Sequence, residues 1–152
     1  MRERILRSFM ATGPFTELFA VPQVEHCEIN GRSPKTKPRG LWYQINNSWR
    51  DWMKWNMPEW AEGYTHEYRI EISKKRVLRI DSAERFVDFE DEWMYEDEGI
   101  DWEGLAEEYA GIEISPYRGE FRPEWYDHWD ISSGCIWCPK GLDSFELISQ
   151  EV

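Results

Sequence analysis

Ten of the chain's 152 residues are tryptophan. Each indole hides roughly 150–250 Å² when buried, so a domain of this size must build its interior around rings rather than around aliphatic side chains. Seven of them fall into two groups. Trp93 and Trp102 sit in helical patterns, whereas Trp42, Trp49, Trp125, Trp129 and Trp137 crowd into two stretches rich in glycine, serine and aromatic residues. The first group reads as ordinary core, and the second as the lining of a cleft.

A chain of 18.4 kDa holds one hydrophobic core. A single domain is expected, with residues 1–15 as a frayed or partly helical lead-in and 16–150 as the globular core. No apolar run approaches the ~20 residues of a membrane span, and no signal-peptide stretch follows Met1-Arg2-Glu3-Arg4-Ile5-Leu6. A cytoplasmic protein without membrane contact is the expectation. Three cysteines, Cys27, Cys135 and Cys138, are too few for a disulfide framework, and reduced thiols are expected.

The net charge of −12 is unevenly spread: residues 1–50 hold eight Lys/Arg against four Asp/Glu, and residues 51–152 hold ten against twenty-six. Nucleic-acid binders need clustered positive charge to displace phosphate counterions, so an acidic back two-thirds argues against DNA or RNA as partner. The same charge suits solubility, and it suits mimicry of DNA against a basic protein surface.

Along the chain, residues 16–24 read as a first strand and residues 30–40 as an exposed basic loop. Leu41-Trp42-Tyr43-Gln44-Ile45 reads as a second strand. Asn46-Asn47-Ser48 offers an N-cap for a short helix carrying Trp49, Trp52, Met53 and Asn56, stopped before Pro58. Tyr68, Ile70 and Ile72 alternate with Glu67, Arg69 and Glu71, the period of a half-buried strand, which residues 77–80 continue. Ser82 caps a helix with Phe86, Val87, Phe89, Glu90 and Trp93 as its buried stripe, and Asp101 caps another ending near Gly111. Residues 112–115 form a short strand, and Phe145, Leu147 and Ile148 mark a last one. The sum is an α+β domain with several short strands and about three helices.

Chemistry concentrates in Trp125-Tyr126-Asp127-His128-Trp129-Asp130-Ile131-Ser132-Ser133-Gly134-Cys135-Ile136-Trp137. Asp130 lies between indoles, and a partly desolvated carboxylate is poised to accept a proton or steady a developing cation. The small side chains of Ser132, Ser133 and Gly134 admit a ligand close to the backbone. The plainer reading is a turn-capping Asp130 among core tryptophans. Likewise, the run from Lys37 to Tyr43 reads either as a solvated hairpin entry or as positive charge for a pyrophosphate beside a ring for stacking. Cys135-Ile136-Trp137-Cys138 is half a zinc site that His26 and Cys27 would have to complete. Strand positions three apart point to opposite faces, so no metal is assigned.

Lys37-Pro38-Arg39-Gly40-Leu41-Trp42-Tyr43 with Trp49, Tyr109-Ala110-Gly111-Ile112-Glu113-Ile114 with Pro116-Tyr117, and Trp125-Tyr126 with the run from Trp129 to Trp137 together resemble small phage-encoded proteins similar to NAD-dependent ADP-ribosyltransferases. The resemblance spans roughly residues 16–142. It implies a split, strongly bent antiparallel β core with flanking helices, and NAD bound as substrate between two small sheets. Trp42 and Tyr43 would then stack on the nicotinamide, Lys37 and Arg39 would neutralise the pyrophosphate, and Gly40, Trp49, Ser132 and Ser133 would complete the site. Asp130 would take the place of the family's usual catalytic Glu, and residues 16–24 offer no His or Arg at the family's first-strand position. The implied activity is transfer of ADP-ribose to a protein acceptor, as a phage effector against a host component in the host cytoplasm. Two other readings stand beside it: an acidic, non-enzymatic inhibitor or binding module, and a degenerate domain of the same fold that binds NAD or a nucleotide without turnover. The oligomeric state is left open.

Overall fold

The computed structural model of the chain describes residues 5–11, 38–64, 66–95, 99–121, 123–126, 129 and 131–149. The strand expected over residues 16–24, most of the basic loop, Lys37, Asp130, His26 and Cys27 lie outside them. One sheet is built from β1 (Arg7–Ala11), β2 (Leu41–Ile45), β3 (His66–Ile72), β4 (Val77–Ile80), β7 (Gly111–Ile114), β8 (Ser133–Ile136) and β9 (Leu142–Ser149). Between β4 and β7 come a helix, the small ribbon β5 (Met94–Tyr95) and β6 (Gly99–Ile100), and a second helix. Among the described residues the four α-helices are α1 (Ser48–Asn56), α2 (Pro58–Ala61), α3 (Ala83–Trp93) and α4 (Trp102–Glu108), so the domain is mixed α+β. Among the described residues no helix is long and apolar enough to cross a membrane.

The sheet order is β4-β7-β8-β2-β1-β3-β9, with β4 and β7 parallel and the other five pairings antiparallel. β3 and β4 are therefore five strand positions apart, about 24 Å across a flat sheet. Only residues 73–76 connect them, and the span from Ile72 to Val77 reaches at most about 18 Å when fully extended. It is not extended: the amides of Arg76 and Val77 bond to the Ser73 carbonyl at 3.1 and 2.9 Å. The sheet must curl. Ser73 N–H bonds Gly141 O at 2.8 Å and Ala110 N–H bonds Arg76 O at 2.7 Å, which ties the turn to the chain beside β7 and β9.

Curling gives the sheet an inner and an outer face. Phe9, Tyr43, Ile45, Tyr68, Ile70, Ile72, Val77 and Ile136 pack together on the inner face, where Phe9 and Tyr68 stack at 4.9 Å. On the outer face Ile80, Ile112, Ile114 and Cys135 meet Phe86 and Phe89 of α3, Trp102 and Leu105 of α4, and Trp125, Tyr126, Trp129 and Trp137. Burying each such ring contributes about 1.5–3 kcal/mol, so this face is the main source of cohesion.

Where a frayed or partly helical lead-in is expected of residues 1–15, Arg7–Ala11 form the strand β1. Its inward positions are Arg7 and Phe9, and an arginine on the apolar side hides the alternation that reveals a strand. The caps of α3 and α4 are as expected, with Ser82 Oγ accepting from Arg85 N–H at 3.1 Å and Asp101 Oδ1 from Gly104 N–H at 3.0 Å. Val87 departs from expectation. It is 43% exposed, because the buried face of α3 is set by Phe86 and Phe89, and Val87 stands off it. Asn47 makes no side-chain cap on α1; Gln44 Oε1, on β2, accepts from both Trp49 and Arg50 N–H at 3.1 Å. β9 forms where expected, with Phe145, Leu147 and Ile148 left partly exposed on a sheet edge.

Tyr43, Gly134, Glu113 and Arg79 lie in one row across β2, β8, β7 and β4. The Tyr43 ring crosses directly over Gly134, and a Cβ there would collide with the ring. Gly134→Ala should therefore lower unfolding stability by on the order of 3 kcal/mol, the cost of overpacking a closed core, as measured by urea denaturation. An unchanged midpoint would show that the ring does not lie there.

Candidate functional site

A cleft of about 380 Å³ opens on the outer face over β1, β2 and β8. Trp42 and Trp129 form one wall, meeting edge to face at 4.8 Å and 71°. Trp49 at the start of α1 and Tyr64 form another, and Trp49 is itself stacked on Trp52 at 5.1 Å with the rings 6° from parallel. Ser8, Gln44 and Ser133 supply polar lining, and Met10 and Ile131 apolar lining. No charged side chain is among the described lining residues. Trp129 buries its indole N–H with no hydrogen-bond partner among the described residues, an arrangement that costs about 1–3 kcal/mol.

Of the residues singled out in the sequence, Gly40, Trp42, Trp49 and Ser133 meet at this cleft. Gly40 has φ +156°, and a Cβ would run into the Ile136 carbonyl oxygen, so a glycine is needed for β2 to approach β8 closely. Tyr43 meets the cleft only from beneath. Its ring is on the inner face and its hydroxyl donates to Glu113 Oε1 at 3.0 Å, so the stacking role expected of it is corrected. Ser132 does not line the cleft; its carbonyl accepts from Ser48 Oγ at 2.7 Å and its Oγ from Tyr117 N–H at 2.8 Å. Arg39 is half-buried next to Gly40, outside the lining. Trp125 and Trp137 are also corrected: both are in the outer-face core, with Nε1 donating to Glu90 Oε2 at 3.1 Å and to Tyr109 O at 2.8 Å. Cys135 is buried in β8 and Cys138 lies past its end.

Sequence reasoning missed the floor of the cleft. Gln44 Nε2 donates to Ser8 Oγ at 3.0 Å, Ser8 Oγ donates to Glu67 Oε1 at 3.2 Å, and Glu67 Oε2 accepts from Arg50. This polar chain crosses β2, β1 and β3 and holds α1 against the sheet. Its signal was a glutamine within an otherwise apolar strand. Ser8 gave none, because the strand carrying it was itself hidden.

Beneath, on the inner face, Glu113 is 3% exposed and accepts from Arg7 Nε at 2.5 Å and Nη2 at 3.1 Å, from Tyr43, and from Arg79 Nε at 3.3 Å. Burial alone would lower the pKa of Arg7, but the hydrogen bond and charge of Glu113 hold it above its ordinary value. Burial, reinforced by the Glu113 charge, pushes Tyr43 well above 10. Two cations depend on one carboxylate here, and Glu113→Gln should cost about 3–5 kcal/mol because it strands them.

No family model, curated protein or solved structure matches the chain.

Tyr126 is also shifted, to about 12, chiefly by burial. A phenol with a raised folded-state pKa adds stability that is complete below the unfolded value near 10 and is lost as pH rises through the folded value. Tyr43 acts in the same direction. In an alkaline titration followed by tyrosinate absorbance, Tyr126 should ionise only near pH 12, and Tyr43 well above the ordinary phenol range. Ionisation of all seven tyrosines near pH 10 in a folded chain would contradict the burial described.

Proposed function

We propose that the cleft binds the nicotinamide end of NAD and that the protein is an ADP-ribosyltransferase. The observation that carries this reading is the convergence of Gly40, Trp42, Trp49 and Ser133, from the first and last of the three motifs of the resemblance, on one aromatic cleft with Trp129. The two motif strands, β2 and β8, are direct antiparallel neighbours, with Trp42 opposite Cys135 and Tyr43 opposite Gly134. The family implies a split, bent antiparallel core; the sheet here is curled, with all seven strands bonded into one and β4 parallel to β7.

The chemistry is consistent with such walls. The pyridinium ring of NAD is cationic, and indole faces attract cations. A volume of 380 Å³ suits one ring and its ribose, leaving the adenylate end outside. In the transfer, the bond between ribose and nicotinamide breaks with its electron pair going to the ring nitrogen. The acceptor nucleophile bonds the anomeric carbon and gives up its proton to a base. Asp130, next to Trp129 and Ile131 in the chain, is assigned to the developing ribosyl cation, as carboxylates serve in glycosidic cleavage. Aromatic walls exclude the water that would otherwise hydrolyse NAD.

A second reading has its own observation: Glu84, Asp88, Asp91 and Glu92 on α3 and Glu103, Glu107 and Glu108 on α4 are all exposed, a face suited to a basic protein.

Incubation with biotinylated NAD and host lysate should yield labelled protein and free nicotinamide. Asp130→Asn should abolish both while retaining NAD binding, and Trp49→Ala should weaken binding about tenfold, the loss of one stacked ring. Absence of nicotinamide release from the wild type would overturn the enzyme reading. NAD binding without release would leave a degenerate domain, and salt-sensitive partner binding that ignores Asp130→Asn would leave the acidic module.

A further inference from the structure

α1 presents its rings outward. Of its nine residues only Met53 is buried, and Trp49, Trp52 and Trp55 follow one another three residues apart along one flank. Trp60 of α2 leans on both Trp49 and Trp52, with ring centroids 6.1 Å apart in each case, and is 46% exposed. Trp55, about one turn further along α1, is 80% exposed. Lys54 Nζ lies over its ring at 5.6 Å, so an indole on this face already takes a cation from the chain itself. Single exposed apolar side chains are ordinary, but a run of indoles on two adjoining helices is a surface built for contact.

The charges around the rings decide what that contact is. Asp51, Glu59 and Glu62 are exposed, and none forms an ion pair among the described residues. Of the two cations on α1, Arg50 is tied to Glu67 and Lys54 lies on Trp55. An anionic membrane surface needs basic residues beside the rings and would meet carboxylates instead. A second copy would bring the same carboxylates together. A basic protein segment suits both the rings and the charges. Arginine suits them better than lysine, because its planar guanidinium stacks on an indole while its N–H groups reach a neighbouring carboxylate.

We infer that the α1–α2 face docks an arginine-bearing basic segment of a partner protein, held by the exposed rings of Trp55 and Trp60 and by the carboxylates of Asp51, Glu59 and Glu62. This surface is distinct from the acidic face of α3 and α4, whose tryptophans, Trp93 and Trp102, are half-buried and buried. Trp49 belongs both to the indole cluster and to the wall of the cleft, so the docked segment lies beside the cleft's mouth. The inference holds whatever the cleft binds.

The test is fluorescence anisotropy of blocked, dye-labelled hexa-arginine and hexa-lysine peptides titrated with the full chain. Salt at about 0.15 M screens long-range attraction to a chain of net charge −12. Hexa-arginine should bind about threefold or more tighter than hexa-lysine. Trp55→Ala combined with Trp60→Ala should weaken hexa-arginine about tenfold, the loss of two exposed cation–indole contacts. Trp55→Ala alone, at a side chain the fold does not bury, should weaken it about threefold, whereas Asp88→Asn with Asp91→Asn on α3 should change it less than about twofold. Equal binding of the two peptides, equal binding by the wild type and Trp55→Ala, or a larger loss in the α3 variant overturns the inference. Co-sedimentation with vesicles containing phosphatidylserine, or self-association that Trp55→Ala abolishes, would assign the face to a lipid surface or to a second copy and overturn it as well.

Discussion

Four residues between β3 and β4 force a seven-stranded sheet to close toward itself, and the rest of the molecule follows from that constraint. Among the described residues, side chains of the sheet fill its inner face. They do so with rings and branched residues at one level and with Arg7, Glu113, Arg79 and Tyr43 at another. The ionic cluster is costly to desolvate, and its value is in fixing which strands meet: β1, β2, β4 and β7 each contribute one member. The helices are left to the outer face. There α3 and α4 cover one end of the sheet, and α1 is held over the other by Gln44, so the cleft lies between two covered regions.

This division explains why the tryptophans do different work. Trp102, Trp125 and Trp137 seal the helix-covered end, with ring centroids 6.2 to 6.4 Å apart. Trp42, Trp49 and Trp129 stand where cover is incomplete, and so their faces border a cavity. Density of indole was visible in the sequence, but placement depended on which strands became neighbours.

What was legible was local. The alternation of Tyr68, Ile70 and Ile72 marks β3, and Ser82 and Asp101 mark the starts of α3 and α4, because each signal lies within a few residues of its effect. Gly40, Trp42, Trp49 and Ser133 were legible as a group through their motifs. What was not legible depends on partners far along the chain. Arg7 looks like a surface residue until Glu113, 106 residues on, is placed against it. Tyr43 looks like a cleft residue until Gly134 gives its ring a path to the inner face. Gln44 replaces the nearby Asn47 as the cap of α1 because the sheet positions it, which no capping rule anticipates.

The central claim is that the outer-face cleft, and not the tryptophan-rich core beside it, receives a ring ligand. Indole N–H resonances of the ten tryptophans, recorded by two-dimensional NMR during titration with NAD, test it directly. The account predicts that Trp42, Trp49 and Trp129 shift with one common dissociation constant while Trp102, Trp125 and Trp137 stay in place. Shifts confined to the second set, or none in the first at saturating NAD, would contradict it.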